Sequence, residues 1–516
     1  MESYKLMKNK RLFQCGLGGN GKTDGSAVIP TLSEAKGRNL ALRTTALRDS
    51  SSPAAPRNDS AKVLFRSLLL FCLVAALPWP ALGQINEQRG APVRRGNAWT
   101  QTHTWTAPAR EGGKLILRAD MGSVEITPAT GNQIEGRAVV RVYNGNEERA
   151  RRVFDAFHLS ARPIENTGVY VSAEFAGSRH HDGSMGVEFD IKVPARFSLD
   201  LETKGGDIDL DGALQGEARL TTAGGDIHAG DISGPIRVET AAGNIGLGNL
   251  GARAEVRTAG GNIHVGNVRG DGTIETIGGE IQVGQVDGTV RAETAGGDIV
   301  IAGAGGQVMA ETAGGQIQVG PTGGSVRAQT AGGNIVLRGA RGRVVAETTG
   351  GSIDLLQLGA GVRANTSAGQ ILVEFDSNTK TFVASQLESS MGDVYVYLPV
   401  NLSLTIDAAI DGAAGHHIVT DFPLSILGDE EDFSERTIRG HGTLNGGGEV
   451  LRIRTVAGNI EIRKIDARSL QEIKNHEDTT WNRLQQRAAE KAQRESEREQ
   501  QRRQRQKEKE DERDEN

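Results

Sequence analysis

The chain has 516 residues, of which 69 are glycine and 4% are aromatic, and its formal net charge is -6. So much glycine and so few bulky rings are unusual for an ordinary globular core and indicate a fold with many turns. The weak charge gives no sign of a nucleic-acid partner. Because Cys15 and Cys72 both precede residue 85, the residues after them have no disulfide, thiolate metal site or thiol nucleophile.

Residues 1–61 are polar and lack hydrophobic periodicity. Within them, GLGGNGKT (residues 16–23) matches the phosphate-loop pattern, whose backbone amides cradle phosphates between a strand and a helix. No convincing strand precedes it, no helix directly follows it, and it lies upstream of an export signal. We therefore interpret the match as chance. We expect residues 1–61 to be a non-native or disordered extension, with translation starting near Val63.

Residues 62–83 have the features of a secretory signal peptide: basic residues, a short apolar run closed by prolines, and a small-x-small pattern. The predicted cleavage falls between Gly83 and Gln84. An uncleaved membrane anchor is the alternative, although the run is short for one. The sequence thus predicts an exported protein of the periplasm, cell envelope or cell surface, with membrane contact only through this segment.

Residues 84–200 form a predicted N-terminal strand-rich cap. Residues 147–157 are typical of a helix, and we expect the cap to cover the open edge of the domain that follows. The predicted strands lie at 115–119, 124–127, 138–143, 169–175 and 187–194.

A phrase of the form T-x-G-G recurs through residues 201–375. After the first interval its threonines are spaced eighteen residues apart, which is typical of a solenoid in which each unit stacks on its neighbours. The threonines are Thr203, Thr222, Thr240, Thr258, Thr276, Thr294, Thr312, Thr330, Thr348 and Thr366.

Each unit contains two segments that alternate apolar and polar residues, as strands do, and a shorter third segment such as residues 266–268. Phe, Tyr and Trp are absent from residues 204–373, which indicates a narrow interior. The predicted fold class is all-β: a parallel β-helix, or β-solenoid, of about ten 18-residue coils. Strand-rich N- and C-terminal caps and a charged helical or disordered tail would flank it.

The glycine pair of each phrase is predicted to turn a corner. There the backbone needs a positive φ or approaches a neighbour too closely for a side chain, so no ligand is required to explain the repetition. The predicted turn glycines are Gly205, Gly206, Gly224, Gly225, Gly260, Gly261, Gly278, Gly279, Gly296, Gly297, Gly314, Gly315, Gly332, Gly333, Gly350 and Gly351.

A polar residue follows each glycine pair. Such side chains can bond neighbouring backbone amides. Calcium is the alternative partner, but the nonapeptide spacing of calcium-binding β-helices is missing and half of the column is uncharged, so we expect no metal. The column is Asp207, Asp226, Asn244, Asn262, Glu280, Asp298, Gln316 and Asn334.

Arginine and glutamate dominate the outward positions, as on a solvated sheet face that resists edge pairing. Glu275, Glu293 and Glu311 would stack about 5 Å apart, within reach of the carboxylate pairs of retaining glycosidases. Their regular recurrence, without loops that could form a cleft, favours a surface ladder. Residues 269–271, Arg-Gly-Asp, resemble a cell-adhesion signal, which we interpret as chance.

The histidines that could bind a metal are the pairs at 180–181 and 416–417 and the equivalent outward residues His228 and His264. Zinc needs three or four converging ligands. Adjacent residues of an extended chain point to different sides, so the sequence does not predict a zinc site.

Residues 376–465 form a predicted C-terminal strand-rich cap, which ends with a last copy of the phrase at 455–460 that we interpret as the closing element. Residues 466–516 are rich in Glu, Arg, Gln and Lys. We predict a helical or disordered tail there, and a coiled coil lacks the a and d positions it needs.

The stretch VPARFSLDLETKGGDIDLDGALQGEARLTTAGGDI, residues 193–227, resembles the bacterial DUF4097 family of β-strand-repeat proteins, which are candidate adhesins. The resemblance lies in the hinge that begins at Val193, the G-D-I repeats and the terminal G-N-I-x-I strand at 458–462, and it covers residues 100–465. It implies an exported, non-catalytic β-helical protein and supplies no functional residues.

The sequence therefore predicts a non-enzymatic exported cell-envelope or surface protein, an adhesin-like β-solenoid that acts as a binding or structural rod. An envelope polymer, a glycan or a protein is the expected partner, without nucleic acid, cofactor or metal. The alternative is a carbohydrate-active β-helix, such as a polysaccharide lyase or glycosidase.

Overall fold

The computed structural model describes residues 85–164, 168–176, 185–413, 415–428 and 437–466, together with residues 471 and 473. The phosphate-loop match, the export signal with its cleavage at Gly83 and Gln84, the histidine pair at 180–181 and nearly all of the tail lie outside the described residues. The described part falls within one compact unit, Trp79–Asn516.

The N-terminal part combines strands with one helix. Its elements are β1 (Asn86–Arg89), β2 (Val93–Arg95), β3 (Ala98–Pro108), β4 (Lys114–Ala119), β5 (Ser123–Ala129), β6 (Gln133–Tyr143), α1 (Glu147–Ala156), β7 (Phe157–Ile164), β8 (Gly168–Phe175) and β9 (Met185–Pro194).

The repeat forms ten pairs of strands. They are β10 (Ser198–Thr203), β11 (Ile208–Leu210), β12 (Ala218–Thr222), β13 (Ile227–Ala229), β14 (Ile236–Thr240), β15 (Ile245–Leu247), β16 (Ala254–Thr258), β17 (Ile263–Val265), β18 (Gly272–Glu275), β19 (Ile281–Val286), β20 (Val290–Glu293), β21 (Ile299–Ala304), β22 (Val308–Glu311), β23 (Ile317–Val319), β24 (Val326–Gln329), β25 (Ile335–Ala340), β26 (Val344–Glu347), β27 (Ile353–Leu358), β28 (Val362–Ala368) and β29 (Ile371–Phe375).

The C-terminal part consists of further strands. They are β30 (Ser385–Met391), β31 (Val394–Leu398), β32 (Leu404–Ile410), β33 (Ile418–Thr420), β34 (Ser425–Gly428), β35 (Ile438–Leu444), β36 (Val450–Ala457) and β37 (Ile460–Lys464).

The repeat is a parallel β-solenoid, as predicted. Even-numbered strands from β10 to β28 pair in one sheet, odd-numbered strands from β11 to β29 pair in the other, and every pairing between coils is parallel. Single bridges such as Leu250–Val268 connect the third side of successive coils, where the sequence predicts a short third segment. No helix among the described residues is long and apolar enough to span a membrane.

The interior of the solenoid is a stack of aliphatic columns. The isoleucine column, which includes Ile227, Ile263 and Ile299, is at most 1% exposed, and strand alternation places it on the inner face. Large buried aromatic side chains lie towards the ends, as in Trp105, Phe189 and Phe375. The coils are accordingly narrow, and rings fill only the wider terminal cores.

Chain order and stacking order differ at both ends. The strands β4 and β5 lie between β8–β9 and β10–β11, with parallel pairing on both sides. At the other end β36 and β37 lie between β30–β31 and β32–β33. The final copy of the phrase is thus an inner coil and not the closing element predicted from its position in the sequence.

Antiparallel strands close the stack. Beyond β9 the sheet continues through β6 and β3, and beyond β32 through β35 and β34, each with antiparallel pairing. The helix α1 begins at the N-cap Asn146, whose side chain accepts the backbone N–H of Arg149 at 2.9 Å, and it buries Ala150 and Phe154. Its position agrees with the helix predicted at 147–157.

Candidate binding surfaces

The second glycine of each pair lies against the corner of the preceding coil. A Cβ atom on Gly225 would be 2.1 Å from the carbonyl oxygen of Gly206, and one on Gly297 would be 2.0 Å from that of Gly279. The first glycine has more room, since nothing lies within 4 Å of a Cβ on Gly224. Among the predicted turn glycines that the structure describes, Gly206 alone has a positive φ, +111°. Close backbone approach is therefore the main reason for the second glycine.

The threonine of the phrase forms hydrogen bonds at the same corner, a role that was not predicted from the sequence. Thr258 is 5% exposed, and its Oγ1 donates to the carbonyl oxygen of Gly243 in the preceding coil at 2.9 Å. It also accepts the N–H of Gly261 at 3.3 Å. The pattern recurs along the rod. The phrase joins one coil to the next.

The polar column after the glycines bonds neighbouring amides, as the sequence predicts. Asp207 Oδ1 accepts the N–H of Asp226 at 2.9 Å, and Asn262 Oδ1 accepts that of Glu280 at 2.9 Å. These oxygens serve the backbone of the next coil. Within the described ranges, no three His, Cys, Asp or Glu residues are grouped in a way that could hold a metal ion.

A second column of this kind occurs at another corner and was not predicted. Asp231 and Asn249 accept the N–H groups of Asn249 and Asn267 at 2.7 and 3.1 Å. In the Arg-Gly-Asp tripeptide, Asp271 Oδ1 accepts the N–H of Thr289 at 2.8 Å. The aspartate of that tripeptide is thus part of the coil stacking.

The outward face of the even-numbered strands carries a ladder of ion pairs. Arg257 lies between two carboxylates, 3.0 Å from Glu255 and 3.1 Å from Glu275. Glu293 pairs with Arg291. Glu275, Glu293 and Glu311 are register neighbours, as predicted. The first two form ion pairs with arginines on an open strand face. This geometry suits a solvated ladder better than an acid and nucleophile pair.

The candidate histidines His228, His264 and His417 have different polar neighbours. His228 Nδ1 is 3.6 Å from Asp209 Oδ1, and His264 Nδ1 is 3.2 Å from Gln282 Oε1, both on the outward face of the odd-numbered strands. The backbone N–H of His417 donates to Asn459 Oδ1 at 3.1 Å near the other end. Each histidine therefore contacts its own neighbours.

A recess of about 330 Å³ lies on the outward face of the antiparallel strands at the N-terminal end. We call it the basic recess. The strands β3, β6 and β9 present alternate side chains to it, and β2 adds an arginine from the edge. Its lining residues are Arg95, Asn97, Ala98, Thr100, Thr102, Arg137, Val139, Arg141, Tyr143 and Glu188.

Three arginines and one glutamate make this recess electropositive. Arg137 pairs with Asp190 at 2.9 Å, and Arg141 pairs with Glu188. Burial lowers the pKa of Arg141, but its hydrogen bond and charge interaction with Glu188 outweigh burial and leave the pKa above its usual range. Arg95 has no ion-pair partner among the described residues, and it lies where an anionic group could enter.

Acidic side chains adjoin the basic recess on the same face. Asp190, Glu125 and Asp209 are register neighbours on β9, β5 and β11. Burial, followed by the negative charges of Asp190, Asp211 and Asp209, raises the pKa of Glu125. This grouping was not predicted from the sequence, because β5 enters the stack between strands that are distant from it in the sequence. The signal was present, since residues 119–126, ADMGSVEI, are a degenerate copy of the repeat phrase.

The family model described as Toastrack DUF4097 matches residues 123–319. These residues match the DUF4097 family. The DUF4097 segment begins at β5 and ends at β23, so it includes β6 and β9 of the basic recess and more than half of the coils. The same repeat continues beyond it to β29.

Three solved structures are similar to the chain that contains this DUF4097 segment. A candidate cell-adhesion protein from Clostridium sporogenes is 11% identical, with 74% of this chain and 100% of that chain covered and a TM-score of 0.12. A candidate adhesin from Bacteroides fragilis is 13% identical, with coverages of 47% and 95% and a TM-score of 0.23. A candidate lipid-binding protein from Parabacteroides distasonis is 9% identical, with coverages of 74% and 98% and a TM-score of 0.17. None of the three is described as an enzyme, and no curated protein matches the chain significantly.

Proposed function

We propose that this protein is a non-enzymatic, exported cell-envelope or surface protein whose β-solenoid acts as a rod, and that it binds acidic groups of an envelope polymer in the basic recess. The regular coils support a binding or structural role over a catalytic one. Outward carboxylates such as Glu275 and Glu293 are paired with arginines on an open face, whereas glycoside cleavage needs an acid and a base or nucleophile around the scissile bond.

The arginines of the basic recess carry this proposal. A guanidinium group offers a planar fork of donors that matches carboxylate and phosphate oxygens, so Arg95, Arg137 and Arg141 suit an acidic sugar or a phosphorylated glycan. Tyr143 adds an aromatic ring of the kind that packs against sugars, which the coils lack. The recess volume of about 330 Å³ is at the lower end of ligand sites, and its open shape leaves room for a polymer to continue.

Binding of the full chain to polygalacturonate, with uncharged dextran as the reference polymer, tests the proposal. Replacing Arg95→Ser and Arg141→Ser together should weaken polygalacturonate binding at least about tenfold, because two charge-assisted hydrogen-bonding groups are lost. The matched control, Arg327→Ser with Arg363→Ser, removes the same charge from the coil face. Equal losses in both pairs, no preference over dextran, or cleavage of the polymer would contradict the proposal.

Export is tested separately in intact cells. The mature N-terminus should be Gln84, as found by sequencing the purified protein, and peptides from residues 1–61 should be absent. Protease treatment of intact cells then distinguishes the two locations, since surface coils would be cleaved and periplasmic coils protected. Detection of the coils in the cytoplasm with residues 62–83 still attached would contradict export.

A further inference from the structure

One outward strip of the solenoid is buried, although strand alternation turns it away from the interior. We define the outer strip as Val300, Gln318, Val336, Asp354 and Leu372, which are register neighbours on β21, β23, β25, β27 and β29. The residues directly before and after each of them in the sequence point into the solenoid and belong to its aliphatic core columns. Nevertheless the five are only 7%, 1%, 5%, 7% and 6% exposed, in that order.

The same column is open in the earlier coils. His264 is exposed, Gly246 and Gln282 are partly exposed, and all three precede Val300 in the register. An outward side chain loses contact with water only when other atoms lie over it. Burial of the outer strip therefore has a local cause that begins at Val300 and continues to Leu372.

The chain itself returns to this strip after its last strand. Ile473 is 4% exposed and packs with Leu356 and Leu372, against the rings of Tyr395 and Tyr397. This contact lies at the C-terminal end of the outer strip. Residues 474–516 continue from it and lie outside the described residues.

The sequence that follows Ile473 has the pattern of an amphipathic helix. Separations of three, eight, three and four residues place its apolar members on one side of a helix, and charged residues dominate after the last of them. The apolar residues are Leu470, Ile473, Trp481, Leu484 and Ala488.

The lengths of the helix and the outer strip agree. At about 1.5 Å per residue, a helix from Ile473 to Ala488 spans about 22 Å. The four steps from Leu372 to Val300, at about 4.8 Å each, cover about 19 Å. The last apolar residue of the predicted helix therefore lies near Val300, beyond which the outward column of side chains is exposed to solvent.

We propose that residues 474–488 form an amphipathic helix that lies along the outer strip and runs back from Leu372 towards Val300. This register places Trp481 near Gln318 and Leu484 near Val300. It also places Glu477 at about the same height along the rod as Arg338. Gln318 Nε2 is buried and has no hydrogen-bond partner among the described residues, so a polar side chain of this segment would satisfy it. The chain's own tail is thus the occupant of the strip.

Disulfide trapping in the full chain tests the register. In a background of Cys15→Ser and Cys72→Ser, the pair Gln318→Cys and Trp481→Cys should form an intramolecular bridge under mild oxidation. The control pair, His264→Cys and Trp481→Cys, should not, because His264 is three coils or about 14 Å further along and bridged cysteines need Cα atoms within about 7 Å. Equal yields from both pairs, or bridges only between two chains, would overturn the proposal.

Truncation provides an independent measurement. A chain that ends at residue 473 should expose the strip, with faster amide exchange in β21 to β27 and increased binding of an apolar dye. A chain that ends at residue 488 should behave like the full chain. If the two truncations behave alike while circular dichroism shows intact strands in both, residues 474–488 do not cover the strip.

Discussion

The imidazole of His103 lies edge-on to the ring of Phe157, with ring centroids 5.2 Å apart and planes at 73°. His103 is 7% exposed, and its Nε2 has no hydrogen-bond partner in the described part of the chain. Burial, with a smaller contribution from the positive charge of Arg89, lowers the pKa of His103 from 6.5 to about 4. A charged imidazole would be held there without water or an anion to stabilise it.

This histidine should make stability depend on pH. The unfolded chain takes up a proton near pH 6.5 and the folded chain only near pH 4, so the contribution is complete above pH 6.5 and is lost as the pH falls towards 4. The loss approaches about 3 kcal/mol at the acidic end. Replacing His103→Leu should flatten the pH dependence of the free energy of unfolding, measured by urea titration. The exposed-face control His264→Leu should keep it, and an unchanged slope in His103→Leu would refute the assignment.

The two glycines of one corner should differ in their tolerance of a methyl group. A Cβ atom on Gly225 would be 2.1 Å from a backbone oxygen of the preceding coil, whereas Gly224 has open space. We expect Gly225→Ala to lower the free energy of unfolding by at least about 2 kcal/mol, since the backbone must move. Gly224→Ala should change it by less than about 1 kcal/mol. Urea titrations of the two variants in parallel check this, and similar losses would show that the corner adapts.

The buried threonine column should depend on its hydroxyl groups. Thr258→Val keeps the shape of the side chain but leaves the carbonyl of Gly243 and the N–H of Gly261 without this partner. We expect a loss of about 1–3 kcal/mol. Thr258→Ser retains the hydroxyl and loses one methyl group, worth about 0.8 kcal/mol. Chemical denaturation should therefore rank wild type, Ser and Val in that order, and a Val variant as stable as wild type would argue against the bond.

The repeat was predictable because its constraints are local and recur. Alternation identifies the inner column that contains Ile299, and an eighteen-residue period requires like residues to stack, so the glycine corner and the polar column at Asp226 followed from the pattern. The direction of the Thr258 hydroxyl did not, because threonine is common on either side of a strand. The folded chain turns this hydroxyl inward, where it donates a hydrogen bond to the preceding coil.

The two ends of the rod were less predictable, because the strands that pair there are not neighbours in chain order. Pairing of β5 with both β9 and β11 brings Glu125 beside Asp190 and Asp209, three residues from different parts of the sequence. The basic recess has the same origin, since Arg95 and Arg141 lie on strands joined only by the antiparallel closure. A degenerate phrase with one glycine, at Gly122, marks the inserted coil in the sequence, but its place in the stack depends on long-range pairing.

The antiparallel closure contains a glycine and a tryptophan that fit each other. Gly136 on β6 is the register partner of Trp105 on β3, and a Cβ atom on it would be 2.0 Å from the indole ring. Trp105 is 1% exposed, so the ring has little room to move. We expect Gly136→Ala to cost about 1–3 kcal/mol in the free energy of unfolding, as overpacking of a core does. The control Gly186→Ala, whose Cβ would meet nothing closer than 3.9 Å, should be nearly neutral.

A double-mutant cycle decides whether the tryptophan is the cause of that loss. In the presence of Trp105→Leu, which removes the ring, Gly136→Ala should cost clearly less than it does alone, because the new methyl group then has space. Urea denaturation of the four chains measures the coupling. If Gly136→Ala is equally costly with and without the ring, its effect comes from the strand backbone and not from the indole.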